Sequence, residues 1–269
     1  MKEFKKWAAA ALAFGSLAFA APAAQAADLA VAEPAPVIAP SIFDVAFGVK
    51  LTNDYILRSV SQTSGHAAVQ GYAEVTALDW FYAGVWGSNV DFGGPQSLEL
   101  DWYAGIRHTF DRLTLDVGYL DINYPGAGRA GDIDFWKIYG IARYALTEDV
   151  TVGANIYWTS EFIGVKGIDG THASAFGRIA LPGLSPLPEV TPYISAEIGK
   201  QWFAKNFAPE YVFWNIGGGV TYKAMSIDLR YTGADLSRRE CGLFIGQRGS
   251  CGDRFMASLS FDTSLSKLK

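Results

Sequence analysis

The sequence predicts an antiparallel transmembrane β-barrel of about 12 strands, and three observations predict it. Segments of about ten residues alternate apolar and polar side chains to the end of the chain, a period of two rather than the 3.6 of a helix. The connections alternate in length, as in an outer-membrane barrel with short periplasmic turns and longer extracellular loops. Beyond the N-terminal leader, no charge-free apolar run approaches the roughly 18 residues that a spanning helix requires. Lipid supplies no hydrogen-bond partners, so a sheet can cross it only by closing and leaving no free edge.

Residues 1–26 read as a removable export signal. Lys2, Lys5 and Lys6 precede an apolar stretch from Trp7 to Ala20, and Ala24-Gln25-Ala26 is the small-x-small pattern that signal peptidase accepts. An N-terminal membrane anchor is the alternative, against which Pro22 and the alanine-rich exit weigh. Residues 27–42, rich in Ala with Pro34, Pro36 and Pro40, are expected to form a flexible periplasmic segment. Residues 43–269 are then the barrel, with both ends of the sheet in the periplasm.

Strands are predicted near 43–52, 67–77, 80–90, 98–109, 113–123, 134–145, 150–161, 171–181, 190–201, 211–222, 225–232 and 254–262. The pattern is clearest from Leu98 to His108. There Leu98, Leu100, Trp102, Ala104 and Ile106 oppose Glu99, Asp101, Tyr103, Gly105 and Arg107. In the same way Val150, Val152, Ala154, Ile156 and Trp158 oppose Thr151, Asn155, Tyr157, Thr159 and Glu161, and Met225, Ile227, Leu229 and Tyr231 oppose Ser226, Asp228, Arg230 and Thr232. Short turns fall at Leu78-Asp79, Phe110-Asp111-Arg112, Leu146 to Asp149 and Lys223-Ala224, and a Pro-rich turn runs from Pro182 to Glu189. Long loops fall at 59–66, 91–97, 124–133, 162–170, 202–210 and 233–253.

Half of the residues are hydrophobic and 18% are charged, which excludes a disordered chain. Losing Lys2, Lys5, Lys6 and Glu3 with the leader takes 22 basic and 27 acidic residues to 19 and 26, a net charge of −7. An acidic balance with no basic cluster gives no footprint for nucleic acid. A secreted β-sandwich or lipocalin-like barrel, with its apolar faces turned inward, would show the same alternation. The membrane reading is favoured by strands of near-spanning length and by aromatics near strand ends, where a girdle would sit: Trp80, Phe81, Phe110, Trp136, Tyr144, Trp158, Trp214 and Tyr222.

One stretch carries a resemblance. Asn53-Asp54-Tyr55, Arg58, Ser61-Gln62-Thr63, Ala68-Val69-Gln70-Gly71 and the run Phe81-Tyr82-Ala83-Gly84-Val85-Trp86-Gly87-Ser88-Asn89-Val90-Asp91 resemble the TorF-type porin family of proteobacteria. Leu98-Glu99-Leu100-Asp101, Tyr103-Ala104-Gly105 and Tyr124-Pro125-Gly126 extend the match to roughly residues 45–165. Ser59 stands where that pattern usually has Gly, and the chain continues past Phe261 to Lys269 instead of ending on an aromatic. The resemblance implies an outer-membrane channel-like protein and leaves its substrate undefined.

The pattern predicts a lumen lined by Lys50, Glu74, Glu99, Asp101, Arg107, Asp116, Lys137, Arg143, Arg178, Glu197, Asp228 and Arg230, with Glu161 and Arg254 also inward. Seven of these are acidic and seven basic, so strong preference for one sign of ion is not expected from the counts. Arg107 and Asp116 lie equally far from the centre of the 110–112 turn, which sets them opposite each other as a predicted pair. The lining serves either as a selectivity surface or as a salt-bridged filling for a narrow barrel, with Trp86 and Phe176 turned inward.

Cys241 and Cys251, both in the last long loop, are predicted to form a disulfide in an oxidising envelope. No metal is expected, because His66, His108 and His172 lie on other segments and no Cys-x-x-Cys spacing exists. No catalysis is expected either: His108 sits at a short turn, His66 and His172 lie in or beside the long loops, and no Gly-x-Ser-x-Gly elbow is near. The Gly217-Gly218-Gly219 run precedes no helix and is expected to pack closely in the wall. Arg238, Arg239, Arg248 and Arg254 cluster near the disulfide, suited either to lipopolysaccharide phosphate or to solvent.

The function expected is a porin-like channel for passive diffusion of small hydrophilic solutes. The alternative is a narrow, plugged, non-conducting barrel with a structural or surface role. The expected partners are outer-membrane lipid, lipopolysaccharide and small solutes, with a homo-oligomer left open and no nucleic acid or cofactor.

Overall fold

A computed structural model describes residues 42–126, 128, 133–183 and 189–268. The predicted leader, all but the last residue of the segment 27–42, and parts of the 124–133 and 182–189 connections lie outside the described residues. Twelve antiparallel strands form a closed barrel: β1 (Phe43–Thr52), β4 (Ala68–Ala77), β5 (Phe81–Asn89), β6 (Leu98–Phe110), β7 (Leu113–Asn123), β8 (Phe135–Ala145), β9 (Val150–Thr159), β10 (Gly170–Ala180), β11 (Val190–Phe203), β12 (Tyr211–Tyr222), β13 (Met225–Ala234) and β14 (Arg254–Ser264). Two further strands, β2 (Ile56–Leu57) and β3 (Val60–Ser61), pair with each other in a separate two-stranded sheet. Each barrel strand runs against its neighbours in sequence, and β1 pairs with β14 from Ala46↔Ser264 to Thr52↔Ser258 to shut the ring.

All twelve barrel strands lie within two residues of their predicted bounds. β9 stops at Thr159, which leaves Glu161 in the following loop, bridged to Ile168. The last long loop holds a helix that the alternation did not show, α1 (Arg238–Ile245). Its Ser237 side chain accepts from the Glu240 amide while the Glu240 carboxylate accepts from the Ser237 amide, satisfying two end donors reciprocally. Those bonds hold the exposed Glu240 carboxyl below its ordinary pKa. Among the described residues no helix is long and apolar enough to cross a membrane.

The two faces of the wall separate as alternation requires. Outward side chains are apolar and uncovered, with Val117 at 65% exposure, Trp102 at 54% and Ile156 at 53%, while the inward set carries the charges. This is the inverse of a lipocalin-like barrel and matches a wall facing hydrocarbon. Aromatics group near the strand ends: Trp80 stacks on His108 beside Phe110 at the short-turn end, and Tyr119, Trp136 and Trp158 form a chain of rings at the other.

Inside, aromatic rings lie across inward glycines of the neighbouring strand. A Cβ on Gly84 would overlap the Tyr103 ring, one on Gly105 the Tyr82 ring, one on Gly118 the Tyr139 ring and one on Gly153 the Phe176 ring. Each glycine thus yields lumen space that a neighbouring ring fills, as aromatics do over glycines in curved sheets. Gly217 and Gly219 face the β13 backbone just as closely, in accord with their expected role in wall packing.

The apolar core sits in the long-loop half of the lumen. β7 breaks its alternation there, turning Leu120 and Ile122 inward and fully buried. With Trp86, Phe135, Tyr157 and Phe213 they surround Tyr55, Leu57 and Val60, which come from the connection between β1 and β4.

Candidate functional site

That connection is the central feature of the lumen. β1 and β4 pair directly as far as Thr52↔Ala68, and of the residues 53–67 between them, 54–63 turn down into the barrel instead of out to solvent. Asp54, Tyr55, Ile56, Leu57, Arg58, Ser59, Val60, Ser61 and Thr63 are all buried. The tip is a two-residue turn at Arg58-Ser59, with Leu57 opposite Val60 and φ of +47° and +62°. Both central residues of such a turn need positive φ, which suits glycine best. Ser59 therefore adopts a conformation that favours glycine, and its hydroxyl is held by Thr232 and by the Trp214 carbonyl.

Polar contacts bind the hairpin to the wall on several sides. Arg58 reaches the Nδ1 of His172 and donates to Gln201 at 3.1 Å. The Tyr55 hydroxyl donates to Glu99 at 2.9 Å, and Tyr124 donates to the other Glu99 oxygen at 2.8 Å. Asp54 pairs with Arg254 at 3.0 Å and accepts from Ser61 and Thr63 at 2.6 and 2.9 Å. His172, expected in or beside a long loop, is the third residue of β10, just past that loop, 2% exposed and stacked on Tyr157 with ring centroids 4.5 Å apart.

All twelve predicted lining residues lie on inward positions of their strands. Eight are buried: Lys50, Glu74, Glu99, Asp101, Asp116, Lys137, Asp228 and Arg230. Arg107, Arg143, Arg178 and Glu197 are partly buried. They gather into networks rather than a uniform ring. Arg107 bonds Asp116 at 2.9 Å, as its distance from the turn predicted, and also Glu74 at 3.0 Å, with its guanidinium over the Tyr82 ring. Across the lumen Arg230 contacts both oxygens of Asp228, at 3.1 and 3.0 Å, and donates to Ser195 at 2.8 Å. Tyr193 donates to Asp228, and Glu197 accepts from Ser174 and Asn215. Arg143 and Arg178 stand near aromatic faces, Arg178 3.5 Å from the Tyr193 ring centroid. Charges removed from water persist only when paired and hydrogen-bonded, and these networks supply both.

At the long-loop end the Cys241–Cys251 disulfide is formed, with Cα atoms 5.8 Å apart. α1 is anchored by Phe244, which packs against Phe162, Phe203 and Tyr211. Arg254 pairs with Asp54, and Arg248 lies against Gly242. The signal for the inward hairpin was present in the sequence as Ile56, Leu57 and Val60, three apolar residues in a connection otherwise expected to meet water.

A family model described as a bacterial protein of unknown function, Gcw_chp, matches residues 37–259. The chain belongs to this family. No curated protein matches it in sequence. Among solved structures, the KdgM porin shares the barrel with a TM-score of 0.51 at 9% identity, over 81% of this chain and 98% of that one. The NanC porin gives 0.48 at 10%, over 81% and 98%. An outer-membrane channel from Pseudomonas putida F1 gives 0.45 at 11%, over 87% and 100%. At such identities the likeness is one of fold.

Proposed function

We propose that this Gcw_chp protein is an outer-membrane channel of the porin type, akin to the TorF-type porins it resembles. It passes small hydrophilic solutes by diffusion once the 53–67 hairpin leaves the lumen. On this reading the leader 1–26 exports the chain, 27–42 lies in the periplasm, the outward apolar belt meets outer-membrane lipid, and the exposed Arg238 and Arg239 face lipopolysaccharide. One observation carries the proposal: the charged lining belongs to the wall, whereas the hairpin that occupies the long-loop half of the lumen is a separate loop that the wall does not need in order to close. Thr52 and Ala68 already pair, so a short turn can replace the hairpin.

The experiment is single-channel conductance of the refolded chain in planar bilayers, beside a variant in which a two-residue Asn-Gly turn replaces residues 54–66. Discrete current steps are expected from the shortened variant. On that background Glu99→Gln is expected to shift ion preference toward anions and Arg107→Gln toward cations, because each removes one fixed charge from the lining. A second reading, the plugged non-conducting barrel with a surface role, is favoured by the burial of eight of the twelve lining residues. Silence from a folded, shortened variant would establish it instead.

A further inference from the structure

We infer that the Cys241–Cys251 loop is the latch that holds the hairpin in the lumen, so that closure of this barrel responds to thiol–disulfide exchange. The inference rests on the channel reading for its functional consequence, and on geometry for the latch itself.

Four contacts on one side of the hairpin come from the short segment 247–254. Val60 bridges to Cys251 itself, the Ser61 amide donates to the Ser250 carbonyl at 2.7 Å, Ser64 donates to the Gln247 side chain at 2.8 Å, and Arg254 pairs with Asp54 at 3.0 Å. Arg254 opens β14, whereas residues 247–253, which make the other three contacts, lie in the irregular connection between α1 and β14, and their covalent tie is to Cys241, on a helix anchored through Phe244. The disulfide therefore transmits the anchorage of α1 to the residues that grip the hairpin. Without it, 247–253 is a flexible tether whose ordering must be supplied by the same contacts it makes, as loop-closure entropy requires.

The exchange balances with a dithiol as reductant. A dithiol thiolate attacks Sγ of Cys251, which is partly exposed whereas Cys241 is fully buried. The sulfur–sulfur bond breaks and Cys241 leaves as a thiolate that takes up a proton. Its Sγ lies 3.2 Å from the Gln247 carbonyl oxygen, an acceptor for the new S–H. The second thiol of the reagent then displaces Cys251 as a thiol, and the reagent ends as a cyclic disulfide, having given up two electrons.

Two readouts on the full refolded chain test this. Amide hydrogen exchange across 54–64 is expected to quicken by about ten- to a hundredfold on reduction with dithiothreitol, and equally in the Cys241→Ser/Cys251→Ser variant, while the barrel strands keep their protection. In planar bilayers, dithiothreitol is expected to raise the open probability of the parent chain and leave unchanged both the serine variant and the barrel with the shortened turn. Unchanged exchange of 54–64 overturns the latch whatever the currents show. Faster exchange with a silent shortened barrel keeps the latch and overturns the channel. Currents from the shortened barrel, with exchange and open probability indifferent to reduction, overturn the latch and keep the channel.

Discussion

Arg107 is the side chain on which the short-turn half of the lumen depends. Its guanidinium answers two carboxylates, Glu74 at 2% and Asp116 at 0% side-chain exposure. Removing one partner from such a site leaves the others charged and buried, typically a loss of about 3–5 kcal/mol. Arg107→Gln is therefore expected to lower the urea midpoint of the folded barrel in lipid vesicles strongly, and Arg107→Gln/Glu74→Gln to recover part of the loss. The Asp116 half of this triad was legible from the turn, because equal spacing about a tight hairpin fixes the opposite residue. The Glu74 half was not: β4 and β6 are separated by β5, and alternation says which way a residue points, not which residue it meets across a strand. Gly118 makes a similar point for packing. Gly118→Ala is expected to push the Tyr139 ring off the wall at a cost of about 1–3 kcal/mol, read from the same urea midpoint.

Among the elements, strands were the most legible because period-two alternation is imposed on every one of them by the same pair of surroundings. Val117→Arg, on the exposed face of β7, is expected to cost about 2–4 kcal/mol of unfolding free energy in vesicles if it lies near mid-membrane. The elements that the alternation hid are those that obey another rule. α1 announces itself only by Ser237-Arg238-Arg239-Glu240, a capping pattern easily passed over in a loop between strands. The hairpin is hidden by its brevity, since two strands of two residues each carry no period. Its Arg58 meets His172 of β10 and Gln201 of β11, a meeting that follows from closure of the ring and from no local signal.

On the scale of the whole molecule, the joint between β1 and β14 is where the two ends of the sheet meet. It is reinforced beyond the strands at both rims. At the long-loop rim Asn53 continues the ladder with its backbone and side chain, exchanging bonds with Ala257 and donating to Phe255. At the short-turn rim the turn Leu265–Leu268 folds back so that the Ser266 amide and hydroxyl donate to Asp44 at 3.0 and 2.6 Å. Asp44→Ala is expected to reduce the temperature at which the closed form is lost in detergent, measured as heat-dependent migration on an SDS gel, without altering the outward faces of the strands.

The hairpin follows the first strand and the disulfide loop precedes the last, so both flank that joint. Their mutual grip can form only after the first and last strands have met. Sealing of the lumen is then a late event in assembly, and a molecule arrested with its first and last strands apart would bear an unclasped hairpin. The clasp thus works as a built-in report on completed assembly, one that a protease acting on residues 53–67 could read in a mixed population.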